Sequence, residues 1–227
     1  MDWQTFWDRL GETPDAHQQV GRRADAPVSD ELLDRIADDV AAKLDLRAEH
    51  TLLDVCCGNG LLTERLAARC ARVTGADFSP VQIAEARKRD VPNATFVVAD
   101  ALRLGDTVDE PFDRVVCYFS FQYFDTYRKG EQALREMANR LAPGGVLLLG
   151  DVPDRARWGA FYTTPRSRLR ARLATLRGTN PMGKFWSRRE LDRLGRGLGL
   201  RGTPLSQPDD FLYAHYRFDY RFDREGG

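Results

Sequence analysis

Histidine is scarce in this 227-residue chain, which has three, and its charges cancel at 34 Lys and Arg against 34 Asp and Glu. That balance removes the long-range pull expected of a chain built to grip nucleic acid or an anionic membrane, and leaves only local patches for either role. The four cysteines, Cys56, Cys57, Cys70 and Cys117, form no CxxC pair. Adjacent thiols do not easily chelate one tetrahedral ion, so reduced cysteines and no metal site are expected. No stretch approaches the ~18 apolar residues of a membrane span, and the opening MDWQTFWDRLGETPD lacks the basic start and apolar centre of an export signal. The expectation is a cytoplasmic, unanchored protein.

The chain does have an alternation of short apolar runs with helical stripes from about residue 51. Near-continuous apolar runs predict buried parallel strands at Leu52 to Cys56, Arg72 to Ala76, Thr95 to Ala99, Arg114 to Tyr118 and Val146 to Leu149. Three-to-four spacing predicts crossover helices at Leu61 to Cys70, Ser79 to Arg89 and Arg128 to Leu141, the last stopped by Pro143-Gly144-Gly145. Further helices are expected at Ser29 to Leu44, Pro165 to Arg177 and Ser187 to Leu198. The tail Phe211 to Phe222 alternates like an edge or near-edge strand, with His215, Arg217 and Asp219 on its polar face. This is an α/β pattern, read as an N-terminal helical cap over 1–48 and one α/β domain over 49–227, with a helical insertion about 155–185.

The chemistry begins at LLDVCCGNG, Leu52 to Gly60, where the first strand turns into its helix. In open α/β sheets ligands bind at this end of the strands, and Gly58 and Gly60 let backbone approach a ligand closely. A dinucleotide GxGxxG phased on these glycines meets Thr63 at its third position, and no Gly-Lys-Ser/Thr follows for a P-loop. Two acids fall at the ends of the next strands, Asp77 in TGADFSP and Asp100 in FVVADAL.

This set, closing with LREMANRLAPGGVLLLGD, resembles the class I S-adenosylmethionine-dependent methyltransferases over roughly residues 50 to 151. The first motif of that family is usually written hhDhGCGxG. Asp54, Cys57, Gly58 and Gly60 match it, while Cys56 replaces a glycine, which is tolerable where the backbone needs no positive φ angle. The resemblance implies a Rossmann-like fold, a mostly parallel seven-stranded sheet with an antiparallel last strand, plus N-terminal helices. It also implies S-adenosyl-L-methionine as cofactor, held by the loop through Asp54, Cys56, Cys57, Gly58, Asn59 and Gly60. Asp77 and Phe78 would lie at the ribose, Asp100 and Ala101 at the adenine, and Tyr118 at the end of the fourth strand facing the transferred methyl group.

Methyl transfer needs alignment and exclusion of water, plus a base where the acceptor must lose a proton. Tyr118 and Gln122 are candidate polar walls, although the aromatic stripe around them equally suits packing. His17 and His215 are candidate bases, each also readable as a surface histidine. The combination of FWDRL, HQQVGRR and DVCCGNG further resembles a bacterial group found among carbohydrate and lipopolysaccharide biosynthesis proteins, which implies Gln19 and Arg22 as N-terminal contacts to cofactor or substrate. Arg155 to Arg177 holds seven arginines and no acid, interleaved with Trp158, Phe161 and Tyr162. Such forks suit an anionic small molecule, RNA or plain solvent. The expected function is methylation of a small molecule, on oxygen of a sugar or related metabolite. The alternatives are an RNA or protein methyltransferase and a non-catalytic cofactor-binding regulator. Whether the protein is a monomer or a homodimer stays open.

Overall fold

The computed structural model describes residues 3–13 and 28–226. Five strands follow the apolar runs: β1 (Thr51–Val55), β2 (Arg72–Asp77), β3 (Ala94–Val98), β4 (Phe112–Tyr118) and β5 (Leu141–Pro153). Between and before them stand α1 (Trp3–Gly11), α2 (Asp30–Leu44), α3 (Leu61–Ala67), α4 (Pro80–Arg87) and α5 (Tyr127–Asn139). A single turn, α6 (Trp158–Phe161), and α7 (Pro165–Leu176) follow β5, and then come α8 (Arg188–Gly197), β6 (Leu200–Leu205) and β7 (Arg217–Arg224).

The seven strands lie in the order β3-β2-β1-β4-β5-β7-β6, with all neighbours from β3 to β5 parallel. Strand β7 runs antiparallel between β5 and β6. The order reverses between β1 and β4, which opens a crevice at the strand ends next to the glycine loop. Core side chains pack on both faces. One face gathers Leu53, Val115, Leu147 and Trp186, and the other Leu52, Val116, Leu148 and helix α2.

Helix boundaries obey local chemistry. Ser29, Ser79 and Thr126 cap α2, α4 and α5 by accepting a backbone N–H three residues on, and Pro80 stands in the first turn of α4, where its missing donor costs nothing. Thr164 and Ser187 begin α7 and α8 with capping boxes.

Two expectations about the strands change. The tail does not extend from Phe211: residues 209–216 form turns and β7 begins at Arg217, so His215 sits exposed in a turn instead of on a strand face. Alternation there reflects a buried turn packed by Phe211, Ala214 and Tyr216. Strand β6, LRGTPL, was not read from the sequence because Gly202 and Pro204 break its pattern. At a sheet edge a missing N–H is tolerated, and Gly202 leaves room for the Tyr220 ring.

Candidate active site

A cavity of 230 Å³ opens at the ends of β1, β2 and β4. Its floor is the glycine loop, where Cys56, Gly58 and Gly60 all take positive φ, at 61°, 55° and 77°. Position 56 thus takes the positive φ at which a side chain is least easily tolerated. A cysteine in the left-handed region costs on the order of 1 kcal/mol, which the surrounding structure must hold. Gly60 cannot be replaced cheaply, because a Cβ there would press on the Phe96 ring at 3.0 Å.

Asp77 organises the loop. One carboxylate oxygen accepts the Gly58 N–H at 3.0 Å and the other accepts the Ser79 N–H at 2.9 Å, and the residue lines the cavity. Burial pushes the Asp77 carboxyl up to about 6, against those hydrogen bonds, which favour the charged form. Asp100 and Ala101 lie on the rim after β3, with the exposed Asp100 accepting the Leu102 N–H at 2.9 Å. Cys57, Asn59, Phe78 and Tyr118 also line the cavity.

Asp54 and Gly60 are not among the lining residues. Asp54 accepts the Thr63 hydroxyl at 2.6 Å beneath the loop, and burial raises its carboxyl to about 7. It fastens strand β1 to the first turn of α3. The Cys56 and Cys57 thiols are pushed well above their usual range, Cys56 first by its hydrogen bond with Cys117 and Cys57 by burial. Both are neutral walls, not nucleophiles.

The candidate polar walls separate. Tyr118 borders the cavity, but its hydroxyl accepts the Gln207 amide at 3.2 Å, in a buried polar group with Asp151 and Asp219. Gln122 is buried and does not line the cavity, because its amide donates to the Phe119 carbonyl at 2.5 Å. His215 packs on Tyr216 away from the cavity. His17, Gln19 and Arg22 lie outside the described residues.

The sequence missed the roof and one wall. Helix α1 lays Trp3 and Trp7 over the cavity, where both rings pack on Tyr123, at 4.5 and 5.5 Å between centroids. The helix is pinned to α4 by the Ser79 hydroxyl, which donates to Asp8, and by the Gln82 amide, which donates to the Trp7 carbonyl at 3.3 Å. Gln82 is only 1% exposed and its Oε1, at the cavity beside Gly58, has no hydrogen-bond partner among the described residues. A buried acceptor left empty in this way costs on the order of 1–3 kcal/mol until a donor arrives. The signal available in the sequence was weak: a glutamine three residues past a cap reads as helix surface.

Beside this cavity, sharing Trp3 with it, is a larger cleft of 790 Å³. Arg155, Arg172 and Lys184 border it with Trp158 and Phe185. Lys184 and Arg155 both pair with Glu190, at 2.8 and 3.4 Å, and Arg172 lies over the Trp158 ring.

Comparison with known proteins bears on this geometry. The family described as "Methyltransferase domain" matches residues 52–145, which include the loop, Asp77 and Asp100. The chain is 38% identical over 120 residues to a demethylmenaquinone methyltransferase of Thermus thermophilus, covering 51% of this chain and 52% of that protein. It is 37% identical over 107 residues to a dTDP-4-amino-2,3,4,6-tetradeoxy-D-glucose N,N-dimethyltransferase of Saccharopolyspora spinosa, covering 44% and 39%. The chain thus spans about half the length of the curated relatives it matches. The fold of the N-methyltransferase NodS of Bradyrhizobium japonicum, solved with S-adenosyl-L-homocysteine, superposes over 99% of both chains with a TM-score of 0.66 at 20% identity. Residues 52–145 therefore match a methyltransferase domain, set in a fold shared with NodS.

Proposed function

We propose that the protein transfers a methyl group from S-adenosylmethionine to a small-molecule acceptor that enters through the cleft beside α6 and α7. The observation that carries the reading is the cavity itself. It offers a left-handed glycine loop, the Asp77 carboxylate and the Gln82 Oε1, which has no partner among the described residues, at one place, where a cofactor bearing ribose hydroxyls and an ammonium group supplies donors. Bound there, the cofactor supplies an electrophilic methyl on sulfonium. The chain's own task is to hold it, roof it with Trp3 and Trp7, and exclude water from the line of attack.

The acceptor class follows from the cleft. Arg155, Arg172 and Lys184 beside Trp158 suit a phosphate or carboxylate attached to a ring, as in a nucleotide-linked sugar, with oxygen of the sugar as the first acceptor to test and an amine as the second. Purified protein with labelled S-adenosylmethionine and a panel of sugar nucleotides, carboxylated metabolites, RNA and protein tests this directly. Turnover confined to RNA or protein would overturn the acceptor, and cofactor binding without turnover on any acceptor would favour a regulator.

Two further outcomes follow from the cavity. Gln82→Met keeps volume but removes both the acceptor and the amide that tethers Trp7, and calorimetry should find S-adenosylmethionine bound about tenfold more weakly. The pH dependence follows from Asp77, whose carboxyl sits at about 6. The ribose hydroxyls bind its charged form better, so protonation competes with binding. Affinity should be flat above about pH 6 and fall by up to about tenfold per unit below it. In Asp77→Asn that slope should vanish; an unchanged slope would place the titrating group elsewhere.

A further inference from the structure

Helix α7 shows an arrangement that methyl transfer leaves unused. Only Ala171 is buried along it, with Ser167 and Ala174 half-buried on the same side. At about 100° per residue, the direction opposite that side is occupied by Leu169, Leu173 and Leu176. Their exposure is 60%, 41% and 83%. The helix is therefore apolar on two opposite faces, one packed on the protein and one turned to solvent.

Arginines edge the outer leucine ridge on both sides. Arg166, Arg170 and Arg177 fall on one side, and Arg168 and Arg172 on the other. Arg168 is tied back to the Tyr162 carbonyl at 2.8 Å and Arg172 to the Trp158 ring. Arg166, Arg170 and Arg177 make no ion pair among the described residues, and no acid lies anywhere from Arg155 to Arg177.

We infer that this ridge seats the protein on an anionic lipid surface. Leucines on a convex ridge enter the boundary between headgroups and acyl chains, while long arginine side chains on both edges reach lipid phosphates. A second copy of the chain does not suit it, because pairing two such ridges opposes arginine to arginine. RNA does not suit it either, because phosphates would take the arginines and leave three leucines in water. A partner protein must bring a groove shaped to the ridge, whereas a lipid surface accepts a convex ridge as it is. The neutral net charge confines the attraction to this patch, and no helix among the described residues is long and apolar enough to cross a membrane. Leu176 and Arg172 also border the acceptor cleft, so seating α7 brings the cleft mouth to the surface.

The test is flotation of the full chain with vesicles of phosphatidylcholine alone and of phosphatidylcholine with phosphatidylglycerol in equal parts. Binding is expected to the mixed vesicles only, and to weaken as salt screens the charges. Leu169→Ser/Leu173→Ser should lower partitioning at least about tenfold. Arg166→Glu/Arg170→Glu should lower it at least about 25-fold, from about fivefold per basic residue. Both variants change solvent-facing side chains, and unchanged S-adenosylmethionine affinity by calorimetry will show that they are folded. The inference is overturned by absence of binding to mixed vesicles, by equal binding to phosphatidylcholine alone, or by binding that ignores the leucines. Capture of polyglutamate without vesicle binding would likewise overturn it, and assign the ridge to an acidic protein.

Discussion

Asp77→Ala should weaken S-adenosylmethionine binding at least about a hundredfold, measured by calorimetry on protein whose thermal unfolding is still cooperative. Two effects add. The variant loses the carboxylate offered to the ribose, and hydrogen bonds to a charged group contribute about 1.5–3 kcal/mol each. It also releases the Gly58 and Ser79 N–H groups that Asp77 holds at 3.0 and 2.9 Å, so a loop preorganised in the left-handed region becomes free to relax. Asp77→Asn separates the two effects. It keeps one acceptor oxygen for the loop and loses the charge, so its affinity should fall between wild type and Asp77→Ala. Equal affinity for all three proteins would remove Asp77 from the cofactor site and, with it, the proposed reading of the cavity.

Why the floor of this site was legible in the sequence and its roof was not is a matter of chemistry. Glycines at a strand-to-helix turn and acids at strand ends have few structural substitutes, so Gly58, Asp77 and Asp100 point to a ligand before any coordinates are known. Trp3 and Trp7 carry no such mark, since aromatic residues on a short amphipathic helix pack against whatever lies below. Their partner Tyr123 is 120 residues from Trp3 and 116 from Trp7, and Gln82, which ties α1 to α4, looks like an ordinary helix residue. Cys56 is a separate case. A cysteine there is tolerable only where no positive φ is needed, a condition the sequence leaves open, and φ is 61°.

The tail failed for a different reason. Alternation of side chains reports burial, not extension, and a turn whose alternate residues are buried imitates a strand. Arg217 and Asp219 were assigned to a polar, outward face, but they are 7% and 0% exposed. They belong to a buried group that forms where β5 bulges at Asp151, whose φ is 58°. No property of an isolated β7 sequence announces that a charged partner waits across the sheet.

That group sets the other large expected effect. Arg217 donates from Nη1 to the Asp151 carboxylate at 2.7 Å and to the Asp151 carbonyl at 2.6 Å, and both side chains are nearly sealed from solvent. Gln207 bridges Asp151 to Asp219, whose other oxygen takes Lys43 of α2 at 2.6 Å. Removing one member of a buried pair leaves the other charge uncompensated, at a cost of about 3–5 kcal/mol. Arg217→Met should therefore lower the melting temperature by about 10 °C in a protein of this size. Burying two ions costs nearly as much as their attraction returns, so the second change Asp151→Asn, which removes the remaining charge and tolerates the positive φ at 151, should restore most of the loss. The double variant decides between readings. Recovery means that the pair specifies the bulge and contributes little net stability, while a further drop would mean that Asp151 holds the bulge by itself through its remaining partners. Tyr118 reports on the site in either case, because its hydroxyl hangs on the same Gln207 amide while the residue itself borders the cofactor cavity. A single variant far from the cofactor should thus lower stability strongly and cofactor affinity only slightly, by the amount that a loosened Tyr118 transmits.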